Sequence, residues 1–221
     1  MLTKATLCIF VKPPLPGLVK TRLSASLTAA EAAGLAAAFF ADTFALARSC
    51  AWARVVVACD GDPSPLELAT GTEIWPQGSG DLGERMERAL SLALESSKAA
   101  IVIGTDLPGL PRRFLDSARL QLAKHDAIIG PSADGGFYLL GLRRCPSGLL
   151  RGLPWSSATT RERTVERMRS VGLAVAEAES WFDVDVPADL RRLAGLLREQ
   201  RICAPRTAHF LAGLAPGGRS A

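Results

Sequence analysis

Histidine is nearly absent: His125 and His209 are the only two in 221 residues. That leaves too few ligands for a His-rich zinc site and argues against a His-based catalytic triad. The five cysteines, Cys8, Cys50, Cys59, Cys145 and Cys203, form no C-x-x-C pair. Cys8 and Cys59 fall in strand-like runs, so buried free thiols and a reduced, cytoplasmic setting are expected. Aromatic residues make up only 6% and do not interleave with the arginines. The net charge of +4 is dispersed, with no block of one sign. Both features argue against a nucleic-acid partner. The very apolar stretch over residues 27–47 is interrupted by Glu31 and Asp42. It therefore reads as a buried helix and not as a membrane span of ~20 uncharged residues. The first apolar run ends in Lys12-Pro13-Pro14 with no small-residue cleavage site, unlike a signal peptide. Internal repeats and low-complexity tracts are missing too.

What is present is an ordinary globular composition, 48% hydrophobic and 22% charged, ample for a core. The chain is organised around residues 12–23, K-P-P-L-P-G-L-V-K-T-R-L, which follow an apolar run over residues 5–11. Three prolines and Gly17 stiffen this loop against helix and strand. It carries Lys12, Lys20 and Arg22. A basic turn in solvent satisfies that pattern, and so does a cradle for an anionic ligand such as a triphosphate. Arg offers a planar fork and Lys a point charge.

Downstream, apolar strand-like runs alternate with helical patterns. Thr28-Ala-Ala-Glu31 fits a capping box, so a helix is expected from Ala29 to Ser49. Strands are expected over residues 54–59, 72–75, 99–104, 126–130 and 137–142, with weak alternation over 173–178. Pro65 is a candidate opening for a short helix. Further helices are expected from Asp81 to about Ser97, from Pro111 to Lys124, from Thr160 to Val171, and from Pro187 to Gln200. This order predicts an α/β fold, three layers around a mainly parallel twisted sheet. It makes residues 1–203 one domain, with residues 204–221 a fraying tail.

In such sheets ligands bind beyond the carboxyl ends of the strands. Four segments fall there: residues 12–22, 77–81, 105–108 and 131–136. The Gln77-Gly78-Ser-Gly-Asp81 stretch enters a helix and suits either a ligand or a linker. Asp134-Gly135-Gly136 suits a hairpin turn or a close backbone approach to a ligand. Trp155, in a Gly/Pro loop, is a candidate stacking surface. Asp106 closes the most apolar strand, and Asp183, Asp185 and Asp189 precede or open the last helix. Two separated aspartates and a basic loop meet the needs of magnesium, which takes one or two protein carboxylates plus substrate phosphates. Helix capping before Pro187 explains one of these aspartates equally well.

Taken in order, K-P-P-L-P-G-L-V-K-T-R-L, Q-G-S-G-D-L-G-E-R-M, G-T-D-L-P-G-L, G-P-S-A-D-G-G-F-Y-L-L-G-L and F-D-V-D-V-P-A-D-L resemble one bacterial family of GT-A fold. It is labelled radical-SAM/selenodomain-associated transferase or arsenosugar-biosynthesis glycosyltransferase. The first loop and strand-end aspartate also resemble 2-phospholactate and molybdopterin guanylyltransferases. The likeness spans about residues 5–200. It implies a nucleotide-diphospho-sugar transferase-like fold and a transferase that uses a nucleotide-activated donor and Mg²⁺ (or Mn²⁺). Glycosyl transfer to a small acceptor is the first reading, nucleotidyl transfer to a phosphorylated small molecule the second, and a silent nucleotide-binding module the third. Lys20, Arg22 and Asp106 would be catalytic. Lys12, Pro16, Gly17, Lys20, Arg22, Gln77, Gly78, Asp81, Asp134, Gly135 and Gly136 would bind nucleotide. Asp106, Asp185 and Asp183 would hold metal. The strand end reads G-T-D and not the D-x-D of many glycosyltransferases, and the G-x-G-x-x-R loop of sugar nucleotidyltransferases is replaced by the Pro-rich version.

Overall fold

In a computed structural model, residues 5–214 are described. The elements run β1 Ala5–Val11, α1 Ala29–Ser49, β2 Ala53–Cys59, β3 Glu73–Pro76, α2 Leu82–Ser96, β4 Ala100–Ile103 and α3 Arg112–Gln121. They continue as β5 Ala127–Pro131, β6 Phe137–Leu142, α4 Thr160–Ser170, β7 Val175–Glu177, α5 Pro187–Arg198 and α6 Pro205–Gly213. One seven-stranded sheet has the order β3-β2-β1-β4-β6-β5-β7. Its pairings are parallel except those of β6, which runs antiparallel to both β4 and β5.

The central strands are apolar throughout because both sheet faces are covered. In β1, Leu7 and Ile9 join the cluster with Phe40 and Phe44 of α1 and Phe114 and Leu115 of α3. Cys8 points the other way, to the cluster with Met86 and Leu90 of α2 and Met168 of α4. This alternation is the period-two geometry of a strand, and it makes the three layers. Burial pushes the Cys8 thiol up to about 12, so this free thiol is core and not a nucleophile.

Helix α1 is long and apolar enough, by length and composition, to cross a membrane. Here it is a core helix buried on two sides. Phe40 and Phe44 face the sheet, while Leu35 and Phe39 pack with Phe182, Val184 and Leu193 of the α5 side. Its start is the expected capping box, with Thr28 accepting from the Glu31 N–H and Glu31 accepting from the Thr28 N–H.

Two expectations are corrected, and one open reading is decided. The residues around Pro65 form a turn and no helix. The segment read as a fraying tail contains α6, which packs on α1. Gly34 makes room for it: a Cβ there would come within 2.4 Å of the Phe210 ring. Asp42 then accepts the Arg206 and Thr207 N–H groups at 3.0 and 2.9 Å, satisfying the first turn of α6. Pro205 is the first residue of α6. Residues 215–221 of that tail lie outside the described residues. Lastly, β6 returns from β5 through the Asp134 turn as an antiparallel hairpin, with a register shift at Gly130/Pro131.

Candidate functional site

The extended segment after β7 builds the site. Trp181 N–H donates to Pro131 O at 3.1 Å, and Val184 N–H donates to Asp106 O at 3.1 Å. These bonds tie the segment across the carboxyl end of β4. Phe182 and Val184 enter the core, so alternation turns Asp183 and Asp185 to the cleft. Asp106 and Asp185 are thereby brought to one point.

Lys20 occupies that point. Its Nζ lies 2.6 Å from Asp106 Oδ1, 3.0 Å from Asp185 Oδ1 and 2.7 Å from Val184 O. All three ammonium donors are used. The Lys20 side chain is only 5% exposed, against 47% for Asp106 and 37% for Asp185. Burial disfavours the ammonium, but the two carboxylates outweigh it and hold the Lys20 pKa above its ordinary value. The backbone at Lys20 is left-handed, φ 49° and ψ 33°, just ahead of a 3-10 turn over Thr21–Leu23 anchored by buried Leu23. A non-glycine residue in that region costs about 1–2 kcal/mol, so surrounding contacts hold it there. Arg22 is 75% exposed, with Nη1 4.0 Å from Asp185 Oδ2.

This centre lines one of two adjoining cavities. The first, of about 430 Å³, is lined by Lys12, Lys20, Arg22, Thr105, Asp106 and Asp185, among others. The second, of about 260 Å³, is lined by Ser132, Asp134, Gly136, Phe137, Trp155 and Asp183, among others. Phe10, Leu82 and Gly104 border both. A Cβ on Gly104 would meet no protein atom within 4 Å, so the protein itself does not require glycine there.

The residues expected to bind nucleotide divide into groups. Lys12, Lys20 and Arg22 line the first cavity. Pro16 and Gly17 are exposed and shape the loop, Gly17 with φ 78°. Gln77 is buried and committed: its Nε2 donates to Ala58 O at 2.9 Å and its Oε1 accepts from Arg85 at 3.1 Å. Gly78 turns the chain with φ 76° beside the Arg88 guanidinium. Asp81 is the N-cap of α2, in a capping box with Glu84. Residues 77–81 thus act as a clamp on α2 and border neither cavity. Asp134 and Gly136 line the second cavity and not the first. Gly135, φ 88°, packs where a Cβ would lie 2.1 Å from Ala158 O. Asp183 likewise opens on the second cavity, and burial, then Asp134, pushes its carboxyl up to about 6. It stands apart from the Lys20-centred pair. Leu18, Val19 and Gly104 were not singled out from sequence. Their apolar or featureless side chains carry no chemical signal.

Asp106 and Asp185 fit a divalent metal as two hard oxygen donors at one strand end. Among the described residues no group of three or more His, Cys, Asp or Glu is arranged to hold one. A magnesium or manganese ion there would need donor phosphates to complete its shell, and Lys20 would have to yield its place between the carboxylates.

Fold and site together define a protein of the nucleotidyl- or sugar-transferase-like α/β class. The chain belongs to the bacterial family described as "Uncharacterized protein conserved in bacteria (DUF2064)", whose model matches residues 41–157. A crystal structure from Desulfovibrio desulfuricans, provisionally described as a nucleotide-diphospho-sugar transferase, is 30% identical with a TM-score of 0.85, covering 95% of this chain and 94% of that one. A 2-phospho-L-lactate guanylyltransferase of Methanothermobacter thermautotrophicus is 29% identical over 177 residues, 77% of this chain and 76% of that protein. Glucosyl-3-phosphoglycerate synthase of Mycobacterium tuberculosis, solved with Mn²⁺ and UDP, shares the fold at a TM-score of 0.51, 14% identity, and coverage of 91% and 82%.

Proposed function

We propose that this protein is a metal-dependent transferase that takes a nucleotide-diphosphate sugar in the first cavity and a small acceptor in the second. The observation that carries this reading is the Lys20–Asp106–Asp185 cluster in the first cavity, which adjoins a second cavity of unlike character. Lys12, Lys20 and Arg22 gather positive charge where a diphosphate needs it. Asp106 and Asp185 would hold Mg²⁺ or Mn²⁺, which when bound neutralises phosphate charge. An acceptor hydroxyl in the second cavity attacks the sugar carbon, the bond to the diphosphate breaks, and the nucleotide leaves against Lys20 and Arg22. Asp183 receives a hydrogen bond from that hydroxyl, orients it and takes its proton as the new bond to the sugar forms. Positioning and charge stabilisation supply the catalysis, with no protein nucleophile needed.

The 29% identity to a guanylyltransferase favours a second reading, nucleotidyl transfer from an NTP. It shares the first cavity and the metal carboxylates, but differs in what leaves. An assay of UDP-, GDP- and ADP-sugars and of NTPs with magnesium separates them. Nucleoside diphosphate release is the expected result, and pyrophosphate release would establish the second reading. A protein that binds nucleotide without turnover of any would be a silent binding module, contradicting both.

A further inference from the structure

We propose that the second cavity selects a non-anionic acceptor, one that presents hydroxyl or ammonium groups, and excludes phosphorylated and carboxylate-bearing molecules. This rests on the reading above that the cavity faces the donor.

Among the described residues the wall contains no Lys, Arg or His, but it does contain two carboxylates, Asp134 and Asp183. Arg161, next along the chain from lining residue Thr160, is taken by Glu177 at 2.9 Å. The first cavity, sharing Phe10, Leu82 and Gly104 with it, holds three cations. The two compartments therefore differ in charge across a common border, and an anion entering the second would meet only like charge.

The hydrogen-bond inventory points the same way. Most donors of the wall are spent within the protein. Ser132 Oγ and Gly136 N–H donate to Asp134 Oδ1 at 2.6 and 2.9 Å. Tyr138 donates to Glu179 O at 2.9 Å, and Thr160 to Pro154 O at 2.6 Å. The Trp155 Nε1 has no partner but is sealed from solvent. The second oxygen of Asp134 and the Asp183 carboxylate have no cation paired with them among the described residues. Beside the hydroxyls of Ser156 and Ser157, what remains open is the acceptor capacity of the two carboxylates, which only a ligand that donates can use. A half-buried carboxylate left unpaired is costly, so a donor-bearing ligand is favoured twice over.

Phe137 and Trp155 meet edge to face at 6.1 Å between ring centres in this wall. They offer an apolar surface for the C–H face of a polyol ring. At about 260 Å³, the cavity lies below the ~300–1,000 Å³ usual for drug-sized ligands, so the acceptor is small.

The test uses one scaffold in three charge states: glucose, glucosamine and glucose 6-phosphate. Met86 lines the cavity and is one of only three methionines. Its ¹³C-methyl resonance in the full chain, identified with Met86→Leu, therefore reports occupancy without need of turnover. Glucose and glucosamine are expected to shift it, with binding at least about tenfold tighter than glucose 6-phosphate. Asp134→Asn and Asp183→Asn should each narrow that gap, weakening glucosamine most. Binding of glucose 6-phosphate as tight as glucose, or no Met86 shift with any of the three, would overturn the proposal. UDP-glucose and GTP binding with magnesium, followed in parallel by calorimetry, keeps the donor reading separate. If neither binds, that reading fails, while the methyl titration still answers the charge question.

Discussion

The Lys20 ammonium lies 2.6 Å from an Asp106 carboxylate oxygen while also holding Asp185 at 3.0 Å. One buried cation therefore keeps two carboxylates together that would otherwise repel across the cleft. The same cation lines the first cavity together with Lys12 and Arg22. Its three donors are all used in this arrangement, so a hydrogen bond to a phosphate would have to displace one of them.

The capping role before α5 falls to Asp189 and not to Asp185. Asp189 Oδ2 accepts the Asp185 and Val186 N–H groups, both at 3.0 Å, and so caps α5. Asp185 turns its carboxylate to Lys20 instead. Asp189→Ala is expected to lower stability by about 0.5–2 kcal/mol with the site chemistry intact. Asp185→Ala keeps the cap and loses magnesium-dependent turnover. Melting curves and turnover on both variants decide it; the reverse pattern would return Asp185 to a capping role.

Gly104 is a second test. Nothing in the protein fills the space its Cβ would take, and it borders both cavities. Gly104→Val should fold with stability within about 0.5 kcal/mol of the parent. Turnover should fall by about a hundredfold, the scale of a small misplacement of reacting groups. Full activity would mean substrates do not pass over this residue.

The buried thiols give a pH prediction. Burial holds Cys8 at about 12 and Cys59 at about 11. Below those values the reactive thiolate is scarce. Iodoacetamide at pH 8 should therefore label exposed Cys203 and spare Cys8 and Cys59 until the chain is unfolded. Mass spectrometry of the native reaction reads the sites directly, and rapid native labelling of Cys8 would show that its strand opens.

Much of the fold was legible from local pattern. The β1 run and the Thr28–Glu31 capping box mark their elements to the residue, because hydrophobic period and end-capping are local. The direction of β6 was legible only as one of two readings of the Asp134–Gly136 turn, since strand composition is the same either way. Helix α6 was hidden because its stability comes from distant groups, the gap at Gly34 and the carboxylate of Asp42. Within the site, Asp106 announces itself as a charge after an apolar strand, Lys20 as a cation on a Pro-stiffened loop and Asp185 as a carboxylate just before Pro187. Gln77 and Asp81 looked equally like ligands, but their polar groups close the protein's own hydrogen bonds. Gly104 has no side chain to announce anything.

The most direct measurement is calorimetry of UDP-glucose and GTP, each with magnesium, on the parent protein, Lys20→Met and Arg22→Ala. Arg22 is mostly exposed, so its loss should leave stability within about 0.5 kcal/mol while weakening the donor. Lys20→Met should lower stability as well, by about 1–3 kcal/mol, since it strips Asp106, Asp185 and Val184 O of their shared donor. The account predicts tight, magnesium-dependent binding of one donor to the parent and a loss of at least about tenfold in both variants, as for removal of a charged phosphate partner. Donor affinity unchanged in both variants, or binding indifferent to magnesium, would contradict it.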